Sequence, residues 1–361
     1  MSGTSLDGID VAFIKSDGTS VERLYQPFHL AYSPQEKQQL TKGLEQAKKE
    51  MKPTHNNDFI NQLEELVTVL HVKAVRSALE INALQTHDID IIGFHGQTLL
   101  HKPDQGWSWQ IGSGKNLSNQ LNMSVVNDFR RYDVEHGGQG APLVPIYHQA
   151  LLKNLSCDYP VAFVNIGGVA NMTWIGGQFN DDILAFDTGP GNALIDDWVR
   201  SKSDLIYDKD GIFSAKGKVD QTLLKQWLDQ DYFSMLPPKS LDRDQFDVSD
   251  IKSLNIEDGA ATLCAFSAHT IKKAQNLCPK LPKTVFICGG GVHNPTIMNL
   301  LQSELSGEVA SVNDLGLNGD FIEAEAFAYL AIRSLYDLPI TFPGTTAISK
   351  PSSGGVFNSP D

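Results

Sequence analysis

The chain has 361 residues, 41% hydrophobic and 20% charged, which is ordinary for a soluble globular protein and long enough for two domains. Its net charge of −14 argues against a nucleic-acid partner, because such binding depends on clustered Lys and Arg. The sequence shows no leader-like start, no membrane-length apolar run and no Cys-x-x-Cys pair, so we expect a cytoplasmic protein without membrane partner, structural zinc or disulfide framework.

The predicted elements begin with a β-strand at residues 9–15, followed by further strand-like pieces as far as Pro34. Apolar residues then recur at helical spacing from Phe59 to Leu79, which predicts an amphipathic helix that covers a sheet. Four short runs rich in β-branched or aromatic residues, each close to a glycine-containing turn, are typical of buried strands; they are residues 89–94, 161–166, 183–186 and 284–288.

The later part of the chain is mostly helical in pattern from Leu223 to Lys273, with a break at the two prolines of residues 235–240. The closing stretch, residues 342–361, is rich in Pro, Gly, Ser and Thr and predicts a peripheral tail. We expect a domain boundary near Arg131, ahead of the glycine-rich sequence EHGGQGAP.

Two stretches place ligand-binding side chains early in the chain. In SGTSLDG, residues 2–8, glycines permit close approach, hydroxyls can donate to phosphate and Asp7 can hold a metal through water; a plain hairpin turn is the alternative. In FHGQT, the side chains of His95, Gln97 and Thr98 follow a predicted strand, where α/β sheets bind ligands. The alternative is that they only satisfy buried backbone groups.

The stretch NDFRRYDVEHGGQGAP brings together two arginines and two aspartates ahead of a helix that Pro142 is expected to start. The rigid fork of arginine suits a carboxylate or a phosphate, while an exposed Arg–Asp network is an equal alternative. The four residues are Asp128, Arg130, Arg131 and Asp133.

In AFDTGPGNALID, a strand is expected to end at Asp187, and after a tight turn Asn192 is expected to cap a helix. An aspartate at the end of a buried strand is costly without a function, although bonding to backbone N–H groups is the alternative.

Glycine turns also follow two later strands, at Gly167–Gly168 and at Gly289–Gly291. The first can cradle phosphates through backbone N–H groups and the second can let a flat ligand lie close, while tight packing is the alternative for both. Near the C-terminus, Glu323 and Glu325 fall in the first turn of an apolar helix, where capping alone would explain them.

Seven segments in order resemble the anhydro-N-acetylmuramic acid kinase family of the sugar kinase/actin/Hsp70 ATPase superfamily: MSGTSLDGID, FHGQT, DFRRYDVEHGGQGAPLVP, NIGGVANMT, FDTGPGN, CGGGVHN and EAEAFAYLA. The resemblance implies an α/β, two-lobed actin-like ATPase (ribonuclease H-like) fold with an interdomain active-site cleft. It assigns residues 1–130 plus 331–361 to an N-terminal lobe and residues 131–330 to a C-terminal lobe.

The resemblance also implies an ATP-dependent kinase that hydrolytically opens the ring of 1,6-anhydro-N-acetylmuramic acid and phosphorylates O6. The products are N-acetylmuramic acid 6-phosphate and ADP, in murein recycling, and Mg²⁺ and a homodimer are expected. Asp187 is the implied catalytic base and a sugar contact, Gln97, Thr98 and Arg131 (or its neighbour Arg130) hold the sugar, and Glu323 with Asp7 lies in the phosphate and metal region. The implied ATP-binding residues are Gly3, Thr4, Ser5, Leu6, Asp7, Gly8, Ile9, Asp10, Gly167, Gly168, Gly289, Gly290 and Gly291.

Two other functions stay open on the sequence: a kinase for an anhydro sugar without the lactyl group, and a non-catalytic actin-like or regulatory ATPase. Members of the family carry apolar residues ahead of MSGTS. We therefore expect the phosphate hairpin of this chain to lack its first strand and to expose a sheet edge.

Overall fold

A computed structural model describes residues 1–361 except 4, 55–56, 154, 156, 180–181 and 242–244. The chain forms two compact units: Met1–Leu155 with Phe321–Asp361 is unit 1, and Ser156–Asp320 is unit 2. These divisions differ from the expected ones after residues 130 and 330. The segment that follows Arg131 belongs to unit 1 because its polar side chains bond within that unit, as when Tyr147 donates its hydroxyl hydrogen to Glu325.

Unit 1 opens with an antiparallel hairpin whose turn is held by Asp17, which accepts the backbone N–H groups of Thr19 and Ser20. Ser2 forms an isolated antiparallel bridge with Ile9 on the first strand. The elements as far as residue 155 are β1 (Gly8–Ser16), β2 (Val21–Ala31), α1 (Pro34–Glu50), α2 (Asp58–Ile81), β3 (Ile92–Phe94), β4 (Gln97–Lys102), β5 (Trp107–Ile111), α3 (Gly114–Leu121), β6 (Val125–Asn127), α4 (Arg131–Glu135) and α5 (Pro145–Leu152).

Helix α2 confirms the helix predicted from Phe59 to Leu79, and its N-terminus is capped by the side chain of Asn57. Its buried stripe, which includes Ile60, Leu63 and Val67, forms part of the unit 1 core. Strand β3 pairs in parallel with β6, and β4 pairs with β5 as a separate hairpin.

Unit 2 is built on one five-stranded sheet in the order β11-β10-β7-β8-β9. Strands β7, β8 and β9 form an antiparallel meander, and β10 and β11 run parallel to β7. Counted within the unit the order is 5-4-1-2-3, the strand arrangement of ribonuclease H-like folds, which confirms the predicted fold class. The elements are β7 (Val161–Ile166), β8 (Val169–Ile175), β9 (Ile183–Pro190), α6 (Ala193–Lys202), α7 (Gln221–Leu228), α8 (Ile256–Gln275), β10 (Thr284–Cys288), α9 (Pro295–Glu304) and β11 (Glu308–Ser311).

Several local predictions in the middle of the chain are corrected. Strand β9 continues to Pro190 instead of ending at Asp187, because β8 still pairs with it there. The Asn192 side chain does not cap α6; it donates to the Ile166 carbonyl. Pro142 starts no helix, and α5 begins at Pro145. The break predicted at residues 235–240 lies within a much longer interruption, since α7 ends at Leu228 and α8 begins at Ile256.

The chain returns to unit 1 in α10 (Ile322–Leu335), α11 (Pro343–Thr346) and β12 (Val356–Asn358). The closing stretch is not a peripheral tail, since Phe342, Thr346 and Ile348 are buried and β12 pairs with β6. The Thr346 hydroxyl donates to the buried carboxylate of Asp133 at 2.7 Å. Within the part of the chain that the structure describes, no helix is both long and apolar enough to cross a membrane.

Replacing Thr346 with Val should destabilise unit 1, because the buried Asp133 carboxylate then loses the hydrogen bond that the Thr346 hydroxyl donates. We expect a cost of about 1 to 3 kcal/mol, measured as a fall in Tm. Ser353→Ala is the matched control, since that hydroxyl bonds Asp337 at the exposed surface of the same stretch. Equal Tm values for both variants would show that the stretch is not docked through Asp133.

Candidate functional site

Asp187 lies half-buried in β9 of unit 2, with its two carboxylate oxygens in different surroundings. Its Oδ2 accepts the backbone N–H of Leu241 at 2.8 Å, and its Oδ1 has no hydrogen bond from any described residue. Burial raises the pKa of Asp187 from 3.8 to about 6, while the bond from Leu241 opposes that rise. The side chain therefore has the fixed orientation and the near-neutral pKa of a general base.

The backbone of Asp187 is held by the segment that carries Leu241. Its N–H donates to the Lys239 carbonyl at 3.0 Å, and its carbonyl accepts the Tyr232 hydroxyl at 2.8 Å. Sequence analysis missed these two residues, because no local pattern predicts that a loop about 50 residues later returns to strand β9.

The predicted glycine loops of unit 2 divide into two kinds. A Cβ at Gly291 would lie 2.4 Å from the Ile166 side chain, and one at Gly289, where φ is +77°, would lie 2.2 Å from Asn165. These two glycines are required by packing. By contrast, the nearest atoms to a Cβ at Gly167, Gly168 or Gly290 are at 3.5 to 3.6 Å, an ordinary contact distance, so packing does not require glycine at these three positions.

The loop at Gly167 and Gly168 is tied to the start of α6. The Gly167 carbonyl accepts the N–H of Asn192 at 2.7 Å, and the Gly168 carbonyl accepts those of Gly191 and Ala193. The N–H groups of Gly191, Asn192 and Ala193, which lead into α6, are therefore engaged by this loop, and the loop is held in place against the start of the helix.

Unit 1 contains a pocket of ≈ 380 Å³, within the usual size of small-molecule sites. Aromatic residues and residues with hydrogen-bonding groups both line it. Its lining includes Glu64, Trp107, Trp109, Gln110, Asp128 and Arg131. Sequence analysis missed the two tryptophans, although their spacing by two residues on one strand places them on the same face.

The two neighbouring arginines have different surroundings in unit 1. Arg131 is exposed, lines the pocket and pairs with Asp128 at 2.7 Å. Arg130 is half-buried, donating to the Gly140 carbonyl at 2.7 Å and to His95 Nε2 at 2.9 Å. Burial and the Arg130 charge hold the pKa of His95 well below its usual value, so the ring is neutral with its proton on Nδ1.

The other predicted sugar residues lie apart from the lining of the pocket. Gln97 is fully buried and donates to the Gly3 carbonyl at 3.1 Å. The Thr98 hydroxyl accepts from Gln110, which does line the pocket. Thr98 therefore contacts a residue that lines the cavity but does not line it itself. Gln97 instead bonds to the N-terminal loop.

In that loop, Thr4 lies outside the described residues, and Asp7 Oδ1 accepts from the Ser5 hydroxyl and the Gly8 N–H. A Cβ at Gly8 would lie 2.4 Å from the Leu30 carbonyl, so packing explains this glycine, whereas a Cβ at Gly3 would make only an ordinary contact with Ser5 at 3.5 Å. Leu6 and Ile9 are buried in the core, and Asp10 pairs with His29 at 2.7 Å.

Glu323 and Glu325 are confirmed in the first turn of α10. Glu325 is buried and bonds Arg23 and Tyr147, so its role is structural. Glu323 is exposed in the same turn. Its charge interacts with those of Asp7 and Asp10, which places these carboxylates in the same part of unit 1, but no three His, Cys, Asp or Glu residues of the described chain are placed to hold a metal.

Comparison with known proteins gives one consistent family. The sequence model described as "Anhydro-N-acetylmuramic acid kinase" matches residues 1–359. Two curated relatives carry the same name. That of Zymomonas mobilis subsp. mobilis is 46% identical over 360 residues, which cover 98% of this chain and 97% of the relative. That of Rhizorhabdus wittichii is 45% identical over 360 residues, which cover 100% and 98%.

Among solved structures, the Acidaminococcus fermentans (R)-2-hydroxyglutaryl-CoA dehydratase component A is 11% identical, with a TM-score of 0.46 over 91% of this chain and 99% of that one. The activator of the 2-hydroxyisocaproyl-CoA dehydratase from Clostridium difficile is 10% identical, with a TM-score of 0.44 over 89% of each chain. These scores are too low to assign a fold, which is carried by the strand order of unit 2.

Replacing Asp187 with Asn should stabilise the protein above pH 6. The folded-state pKa lies above the ordinary value, so the ionised carboxylate costs stability above about pH 6 and nothing below about pH 4, where both states are protonated. We expect a gain of roughly 2 to 3 kcal/mol at pH 8 that disappears by pH 4, followed as Tm against pH. The exposed Asp182→Asn is the control, and a pH-independent difference for Asp187→Asn would contradict the raised pKa.

Proposed function

Because the chain belongs to the anhydro-N-acetylmuramic acid kinase family, we propose that it opens the ring of 1,6-anhydro-N-acetylmuramic acid with water and phosphorylates O6 with ATP. The products are N-acetylmuramic acid 6-phosphate and ADP, in murein recycling. The single observation that carries the proposal is the Asp187 carboxylate, with one oxygen fixed by Leu241 and the other free of protein donors among the described residues.

Asp187 acts in the ring-opening step. Its Oδ1 accepts a proton from water, the water oxygen bonds to the anomeric carbon, and the bond from that carbon to O6 breaks. With a pKa of about 6, the carboxylate is ionised at neutral pH and yet remains basic enough to accept the proton. Positioned general bases of this kind contribute about 10²- to 10⁴-fold in rate.

In the second step the freed O6 attacks the γ-phosphorus of ATP, and the bond to the ADP oxygen breaks. The glycines that packing does not require, Gly3, Gly167, Gly168 and Gly290, let backbone N–H groups approach the phosphates. Such transfer depends mainly on positioning and on neutralising charge.

The carboxylates of unit 1 fit a role for Mg²⁺. They supply hard oxygen ligands, and Mg²⁺ commonly binds one or two carboxylates together with substrate phosphates and water. Within the described ranges no three His, Cys, Asp or Glu residues enclose a metal by themselves. Glu323 and Asp7 would hold the ion together with the substrate phosphates, and the ion would supply charge neutralisation to those phosphates.

The pocket of unit 1 is the proposed place for the sugar. Trp107 and Trp109 offer flat apolar surface to a pyranose, and Gln110 and Glu64 offer partners for its hydroxyl and acetamido groups. Arg131 is the exposed cation of the lining and suits the lactyl carboxylate. The family resemblance also supports a homodimer, and the need for ATP supports a place in the cytoplasm.

The test of this function is a coupled assay of ADP release with purified protein, ATP, Mg²⁺ and the anhydro sugar. We expect a sugar 6-phosphate and an equal amount of ADP, and roughly 10²-fold or more loss with Asp187→Asn. An anhydro sugar without the lactyl group should be a much poorer substrate. ADP release that does not depend on any sugar would contradict the proposal and favour a regulatory ATPase.

A pair of glycine variants tests the assignment of the phosphate loop. Gly167→Ala should leave Tm nearly unchanged and raise the KM for ATP, because its Cβ would come no closer than 3.5 Å to protein but would crowd the expected phosphates. Gly291→Ala should lower Tm by overpacking against Ile166, at a cost of about 1 to 3 kcal/mol. An unchanged KM for ATP in Gly167→Ala would remove this loop from the nucleotide site.

A further inference from the structure

We propose that Lys239 is a positioning residue for Asp187: from its buried position it holds residues 239–241 against β9, so that Leu241 engages Oδ2 and leaves Oδ1 free. The inference rests on the proposed function, in which Asp187 is the base. It concerns the bracing segment, residues 232–241, all of which the structure describes.

Three hydrogen bonds close a ring between Asp187 and the bracing segment. The Tyr232 hydroxyl donates to the Asp187 carbonyl at 2.8 Å, the Asp187 N–H donates to the Lys239 carbonyl at 3.0 Å, and Lys239 Nζ donates to the Tyr232 carbonyl at 2.7 Å. Each residue of the ring touches the other two. Two of these bonds attach the segment to β9, and the third, from the Lys239 ammonium, holds the two attachment points together.

The ring of three hydrogen bonds determines where Leu241 lies, and therefore whether its N–H reaches the Asp187 carboxylate. Leu241, which donates to Asp187 Oδ2 at 2.8 Å, lies only two residues beyond Lys239. If the segment moves away from β9 at Lys239, the Leu241 N–H moves with it. Asp187 then loses the one hydrogen bond that favours its ionised form.

The burial of Lys239 is itself costly, which argues that its charge has a purpose. The side chain is 6% exposed, and no carboxylate pairs with it among the described residues. Its ammonium lies 4.4 Å from the ring centre of Tyr232 and 5.9 Å from that of Phe186, the residue before Asp187. Burial lowers the pKa of Lys239 to about 8. An apolar side chain would fill the same space without this penalty.

Apart from Lys239 itself, the other described groups that face Asp187 do not titrate near neutral pH. Strand β8 places Asn171 opposite it, and α8 places Ser267 and Thr270 against the following turn. On the bracing segment, Tyr232 is the remaining titratable group, and burial raises its pKa far above neutrality. Within the described part of unit 2, a change in the Asp187 titration after altering Lys239 therefore reports on the Leu241 bond or on the loss of the Lys239 charge, and Tyr232→Phe, which keeps that charge, separates the two.

The experiment compares Lys239→Met with Lys239→Arg in the full chain. The kcat/KM for the anhydro sugar is measured against pH, and the Asp187 carboxyl carbon is titrated by ¹³C NMR without substrate, using Asp187→Asn to assign its signal. In Lys239→Met we expect the acid limb and the NMR titration to move up by about 0.5 to 1 pH unit. We also expect kcat to fall roughly tenfold while the KM for ATP stays constant.

Lys239→Arg should return the Asp187 titration and the kcat most of the way to their wild-type values, since a guanidinium keeps the positive charge, the hydrogen bond and the aromatic contacts. Lys202→Met is the matched control: Lys202 also lies over an aromatic ring, that of Trp198 at 4.6 Å, but makes no contact with Asp187. It should leave both titrations unchanged.

If Lys239→Met does not fold, Tyr232→Phe tests the same ring, because it removes only the bond to the Asp187 carbonyl. A smaller upward shift of the Asp187 titration is then expected. An Asp187 titration equal to that of the wild type in a folded Lys239→Met, or in Tyr232→Phe, would overturn the proposal. A wild-type protein that phosphorylates no anhydro sugar would refute the function alone, since the NMR comparison needs no substrate.

Discussion

The desolvated carboxylate of Asp187 is the constraint on which the rest of unit 2 depends. A charged group half-buried in a strand is unfavourable unless backbone donors reach it, and here one N–H does so. Burial and the Leu241 bond act in opposite directions on the pKa of Asp187, and the result is a pKa of about 6. The strand holds the residue rigidly, and the bracing segment supplies the single donor. The buried carboxylate lowers local stability, and the same burial gives a base that works near neutral pH.

The same logic separates the glycines that packing requires from those that it does not. Gly289 and Gly291 lie against the end of β7 and allow the chain to turn there. Packing does not require glycine at Gly167 and Gly168, and their carbonyls accept hydrogen bonds from the residues that lead into α6. A phosphate loop must be both accessible and rigid, because phosphoryl transfer depends on positioning. Unit 1 supplies the complementary features, a polar pocket with aromatic walls and carboxylates whose charges interact.

Local pattern predicted helix α2, strand β1 with strand-like pieces after it, and the buried strands, since periodicity is visible in the sequence. The cost of a buried charge also singled out Asp187, whose role as a base stays a prediction. Local pattern did not predict the features that depend on contacts between distant parts of the chain. The closing stretch has the composition of a loop, yet Thr346 docks on Asp133, 213 residues earlier. The Gln97 side chain is buried and bonds to the Gly3 carbonyl instead of lining the pocket. The positions of the pocket tryptophans and of Lys239 depend on segments that are far apart in the sequence. The expected cleft between the lobes stays a prediction.

The most direct measurement of the central claim is a crystal structure of the protein with the anhydro sugar and a non-hydrolysable ATP analogue at neutral pH. The account predicts an ordered water within hydrogen-bond distance of Asp187 Oδ1, aimed at the anomeric carbon, with Oδ2 still bonded to the Leu241 N–H. A water aligned for attack by any other side chain, or an Asp187 Oδ1 engaged by a protein cation, would contradict it.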